Sequence, residues 1–234
     1  MRKQLMIMGA MLFASMSIFS QAITDRQVIP VAVSLNQVLR MSITNGGNIE
    51  FVFNSIDDYR NGLSADAATS VSANPASSEG FYQTDFTVAS STRWKLTYGS
   101  EQATFIGTDN VLNTLLLDNV GYALVNNGTH LFEGAGNAKA TTAGSSLFST
   151  PTDNANEVAA LEVYPVDLIE DNDDATVSNA GDVAENSFSL LWRCGTSEAG
   201  AVVPMNTESL LNQQPSPTPD RYVTNVIFEL SVDN

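Results

Sequence analysis

Residues 90–100 read SSTRWKLTYGS. The stretch sets one of the chain's two tryptophans between two of its ten cations. Read as a strand, its side chains alternate between two faces. Trp94, Leu96 and Tyr98 then share one face, and Arg93, Lys95 and Thr97 the other. The cations are the solvated side of a half-buried strand and the indole is core. Burying an indole removes about 150–250 Å² from water, worth at most about 4–6 kcal/mol. An exposed tryptophan serving as a ligand platform forgoes that gain. The stretch therefore predicts a β-sheet with Trp94 inside it.

The same period recurs along the chain. VIPVAVSL (28–35) reads as a first strand, with Pro30 at its start or at an edge. VLRMSI (38–43), TNGGN (44–48) and IEFVFN (49–54) read as a hairpin, because Asn-Gly supplies the positive φ that a two-residue turn needs. SIDDYRNGLS (55–64) has turn chemistry. Further strands are expected at 81–90, 103–107, 113–119, 120–126, 159–169 and 187–195. In the last of these Phe188, Leu190 and Trp192 share a face. MNTESLLNQQ (205–214) reads as a single helical turn. RYVTNVIFELSV (221–232) is the longest clean alternation, with Val226, Phe228, Leu230 and Val232 on one side. Segments 64–80, 133–157 and 170–186 are small and polar, and are expected as long loops. Short alternating runs separated by Asn, Gly, Asp and Ser predict an all-β chain: an antiparallel β-sandwich, one domain with long polar loops. The predicted core includes Trp94, Leu96, Trp192, Phe228 and Leu230. No repeat of 20–50 residues is present, which excludes a solenoid or propeller.

Arg2 and Lys3 precede an uncharged apolar run, Leu5–Phe19, which is followed by Ser20, Gln21 and Ala22. This is the pattern of a secretory signal peptide over 1–22, with a domain over 23–234. The alternative is an uncleaved anchor, but the run is shorter than the roughly 18 apolar residues that a span needs. No membrane span is expected in the mature chain. Cleavage leaves eight cations against 26 acidic residues, a net charge of −18 where the full chain has −16. That balance excludes a nucleic-acid binder, which needs cations against phosphate. Such charge suits solubility outside the cell. Cys194 is the only cysteine, so no intramolecular disulfide can form. It reads as a small buried hydrophobe, with an intermolecular bridge as the alternative.

Trp94-Lys95-Leu96, with Phe105 following, is a Trp-x-Leu strand, and Phe228-Glu229-Leu230 resembles a second copy with Phe in place of Trp. In this the chain resembles the WxL-type surface domains. Its segment GGNIEFVF (46–53) is similar to β-sandwiches of small proteins exported by Gram-negative bacteria. The resemblance implies an Ig-like or WxL-like, surface-exposed, non-catalytic sandwich and carries over no catalytic residue. Phe228 departs from the pattern that goes with wall binding in that family.

Catalytic sets are missing from the sequence. His130, the only histidine, sits beside NNGT with no nucleophile motif near it. Gly195–Gly200 is one residue too long for a nucleophile elbow, and one His with one Cys falls short of a zinc set. Gly134–Lys139 lacks the strand–helix setting of a phosphate loop. Paired carboxylates of a glycosidase need a cleft framed by aromatics. At 8% aromatic, most of it on core faces, nothing marks one. No enzyme is expected. Asp171, Asp173 and Asp174, with Asp167 and Glu170, form an acidic run that would suit weak extracellular calcium binding. Ala175 and Thr176 break the EF-hand pattern there, and a solvated loop is the plainer reading. Apart from calcium, no cofactor is expected. The sequence thus predicts a secreted, structural or adhesive surface or envelope protein whose partners are itself, other envelope proteins or a glycan. The edge of the long final strand could accept another strand, although no clear donor segment of the pilin kind stands out. A glycan- or small-ligand-binding module, stabilised by calcium, is the alternative.

Overall fold

The computed structural model describes residues 27, 29–65, 82–129, 158–169, 179–198 and 203–233, and the backbone of 76–77. The chain divides into two compact units, Met1–Asn36 and Gln37–Asn234. In the first unit, residues 27 and 29–36 form no helix or strand and are exposed. This corrects the first strand expected from the sequence. Alternation supplies the apolar side chains, but a strand also needs a hydrogen-bonding neighbour. Among the described residues none pairs with 29–35.

The second unit is mostly β, with antiparallel sheets and one short helix. Its elements are β1 (Leu39–Asn45), α1 (Ile56–Asn61), β2 (Leu63–Ser64), β3 (Ala76–Ser77), β4 (Gln83–Ser90), β5 (Trp94–Ser100), β6 (Thr104–Gly107), β7 (Thr114–Leu116), β8 (Val120–Asn126), β9 (Val158–Ala160), β10 (Val166–Ile169), β11 (Ser187–Cys194), β12 (Tyr222–Val223) and β13 (Val226–Val232). In the largest sheet β11 is central. One of its sides pairs with β8, which continues to β9; the other pairs with β4 and then β2, with β1 outside β4 and β3 outside β2. The β2–β3 pair is parallel. A second sheet runs β10–β5–β13 and a third β12–β6–β7.

The opening stretch occupies the middle of the second sheet. Trp94, Leu96 and Tyr98 are fully buried, while Lys95 and Thr97 on the opposite face are half-buried. The two Trp-x-Leu-like segments lie side by side, with Leu230 opposite Leu96 and Phe228 opposite Tyr98. Rings join the first two sheets. Trp94 meets Phe188 edge-on at 6.2 Å, Phe228 lies 6.0 Å from Phe86, and Tyr98 meets Tyr122 at 4.8 Å. Offset and edge-to-face contacts at these distances are the favourable aromatic geometries.

Three local readings change. The hairpin expected over 38–54 does not form: β1 pairs with β4, and residues 49–54 are irregular. At Gly46, φ is +64° and a Cβ would stand 1.8 Å from the Gln83 carbonyl oxygen. Only glycine lets the backbone pass that close to β4. Ile49, Phe51 and Phe53 then pack on the core from outside any sheet. Residues 55–64 hold α1 rather than a bare turn. Its start is a capping box, in which the Asp58 N–H donates to Ser55 Oγ at 3.1 Å and the Ser55 N–H donates to Asp58 Oδ2 at 2.8 Å. No helix forms over 205–214.

Candidate functional site

The apolar side chains of the sheets supply the core, so the remaining question is which groups are left over to meet a partner. The expected core residues fall into two groups. Trp94 and Leu96 on β5 are fully buried, and Phe228 and Leu230 on β13 are partly buried against the same cluster. Trp192 on β11 is nearly buried and packs on Tyr122 at 5.7 Å. Its indole N–H donates to Thr84 Oγ1 at 2.9 Å. Both indoles are therefore enclosed in the fold. Cys194 is buried and free, and burial pushes its thiol up to about 12. It remains a thiol at physiological pH, without the thiolate that nucleophilic chemistry needs.

The acidic run with Asp171, Asp173 and Asp174 lies outside the described residues, as does His130. Among the described residues, no group of three or more His, Cys, Asp or Glu side chains could hold a metal ion. No helix among them is long and apolar enough to cross a membrane.

Several polar side chains that matter to the fold are not evident from the sequence. Asn179 fastens Trp94. The Trp94 backbone N–H donates to Asn179 Oδ1 at 3.0 Å, the indole N–H donates to its carbonyl at 2.8 Å, and Asn179 Nδ2 donates back to the Trp94 carbonyl at 2.6 Å. Arg193 is fully buried and pairs with Glu198 through Nη1 at 2.7 Å, the two side chains being 0% and 4% exposed. Alternation along β11 puts Arg193 opposite Trp192. The sequence gives no sign that both faces are covered there. Asp85 accepts hydrogen bonds from Ser189, Gln83 and Asn45. Partial burial acts to raise its pKa, but these three bonds outweigh it and hold the carboxyl below the usual 3.8.

Two surface features remain. A depression of about 480 Å³ is walled by Leu116, Leu161, Val163 and Val203, with Asp118 and Glu162 on its lining. Burial raises the Asp118 carboxyl above its ordinary value, against a smaller opposing effect of its own backbone N–H. The second is the ladder Ile29, Val31, Val33 and Leu35, exposed to 82%, 85%, 80% and 90%. Four large apolar side chains at a spacing of two forgo about 1.5–3 kcal/mol each by staying in water. Scattered apolar surface residues are ordinary, but a contiguous run points to an interaction. The sequence carried this signal in its alternation, and the expectation of an internal strand concealed it. No protein-family model matches the chain, and no curated protein matches it.

Proposed function

We propose that this protein is a secreted bacterial surface or envelope component, structural or adhesive, that works by associating with itself and with envelope partners and catalyses nothing. The exposed ladder Ile29/Val31/Val33/Leu35 carries this reading. A run of large apolar side chains left in water is suited to binding another chain. The leader-like first 22 residues and the acidic balance support export. An aligned two-layer β-sandwich is the architecture we assign, supported by the ring contacts between the β4–β11–β8 sheet and the β10–β5–β13 sheet. The pairing of the two Trp-x-Leu-like strands supports a WxL-like arrangement. Fractionation of the native cells tests the reading, together with electron microscopy of cells lacking the protein. Recovery with the envelope and an altered surface are expected. A cytoplasmic protein, or a deletion that leaves the surface unchanged, overturns it.

The depression beside Asp118 and Glu162 favours a second reading, a glycan- or small-ligand-binding module. Since both tryptophans are buried, that site would bind through carboxylates and aliphatic walls. A glycan array read with the D118N/E162Q variant tests it. A glycan that binds the native chain and not the variant supports the module, and an array with no binder removes it.

A further inference from the structure

We infer that the depression beside Asp118 and Glu162 is a docking pocket for a lysine side chain of a partner protein. The inference names the chemistry of the envelope partner proposed above and rests on that proposal.

The pocket lies where three connections of the fold meet. Leu116–Asp118 run from the end of β7 toward β8, Leu161–Val163 run from β9 toward β10, and Val203 and Pro204 pass beside β9. Main-chain hydrogen bonds hold these segments in place. The Leu161 N–H donates to the Val120 carbonyl at 2.8 Å, and the Ala160 N–H to the Val203 carbonyl at 2.9 Å. The Asn206 N–H donates to the Asp118 carbonyl at 2.9 Å, and the Ser100 N–H to the Glu162 carbonyl at 2.8 Å. The two carboxylates are thus carried on backbone that is fixed before anything binds, which lowers the cost of binding.

The lining selects the occupant. Among the described residues it holds no aromatic ring, hydroxyl, amide or cationic group, and Asp118 and Glu162 are its only polar side chains. Neither carboxylate belongs to an ion pair there. Asp118 Oδ1 receives one long hydrogen bond, from Asn119 Nδ2 at 3.5 Å, and the Glu162 carboxylate receives none. Asp118 has therefore lost water without gaining a cation, in keeping with its raised pKa. Aliphatic walls with two uncompensated carboxylates fit a group that has an apolar stem and a cationic head. Lysine has both. Its four-carbon stem covers aliphatic surface, and the three donors of its ammonium can be shared between two carboxylates. A neutral sugar would leave both negative charges uncompensated.

A partner protein is favoured over a free amine because the pocket is open to solvent. A small ligand is held by burying most of its surface, which an open depression does not do. A side chain delivered by a partner is covered by the partner itself. Two of the walls, Leu116 and Val163, are 56% and 47% exposed and are available to the residues that flank the lysine. The net charge of −16 adds long-range attraction for a basic surface and repels a second acidic copy.

The test is an NMR titration of the isotope-labelled protein with capped alanine peptides that carry one central lysine. Shifts are expected at residues 116–118, 161–163 and 203. Affinity is expected to fall about tenfold or more when the central residue is norleucine or acetyl-lysine, and by as much in D118N/E162Q. V163K, which supplies a lysine in cis at an exposed wall, is expected to block the peptide while leaving the melting temperature unchanged. It keeps the test open if D118N/E162Q does not fold. The inference is overturned by the absence of shifts up to about 10 mM peptide, by shifts confined to other residues, or by equal binding of the acetyl-lysine peptide. Butylamine that binds as tightly as the lysine peptide overturns the assignment to a partner protein, and so does a glycan whose binding is lost in D118N/E162Q. A failed titration of a protein recovered with the envelope overturns the inference and leaves the surface reading. Lysine binding by a protein found in the cytoplasm overturns the surface reading and leaves the pocket.

Discussion

At the scale of single residues, the fold depends on enclosed groups whose polar atoms are answered. Trp94 is the clearest. It is fully buried, and Asn179 takes both of its N–H groups. Trp94→Ala should cost about 3–5 kcal/mol in denaturant unfolding, the range for deleting a buried aromatic. The Arg193–Glu198 pair behaves differently. Nε and Nη2 of Arg193 lack hydrogen-bond partners among the described residues, so the pair repays little of its desolvation. Glu198→Gln should destabilise by about 3–5 kcal/mol, because it strands a buried guanidinium. The double change R193M/E198L should recover most of that loss, and unfolding of the three variants completes the cycle. Asp85 sets part of the acid response. Its folded pKa lies below the unfolded 3.8, so its contribution is complete above about pH 3.8 and is lost as pH falls through the lower folded value. Asp85→Asn should flatten the stability curve in that acid window and leave its slope near neutrality unchanged, as read by unfolding at a series of pH values.

At the scale of elements, local chemistry decides less than neighbours do. The segment 55–64 reads as a turn in the sequence, and only the capping box formed by Ser55 and Asp58 in the structure makes six of its residues a helix. Ser55→Ala should cost about 0.5–2 kcal/mol and speed hydrogen exchange over 56–61 before it affects the sheets. β5 was legible in full, since a single run of alternation fixes which side chains go inward. The hairpin at 38–54 was not. Asn-Gly signals a reversal, but the partner of β1 is β4, about forty residues on, and only the close approach of Gly46 to Gln83 shows why. The run 159–169 likewise splits into β9 and β10, with Pro165, which cannot donate a ladder hydrogen bond, between them.

At the scale of the whole molecule, the features that bear on function are those the core leaves uncovered. Self-association of the kind proposed above would stabilise the folded state by mass action. The melting temperature of the protein should therefore rise with protein concentration in calorimetry. A melting temperature independent of concentration would contradict self-association.

The β period, the inward face of β5 and the burial of Trp94 were determined by the sequence alone, because alternation is local and hydrophobic burial follows from it. Which strands pair was decided only in the tertiary structure, as was the enclosure of Arg193 and the exposure of Ile29–Leu35. Pairing and burial depend on neighbours far along the chain, and a two-residue period is the same whether a strand finds its partner within its own fold or beyond it.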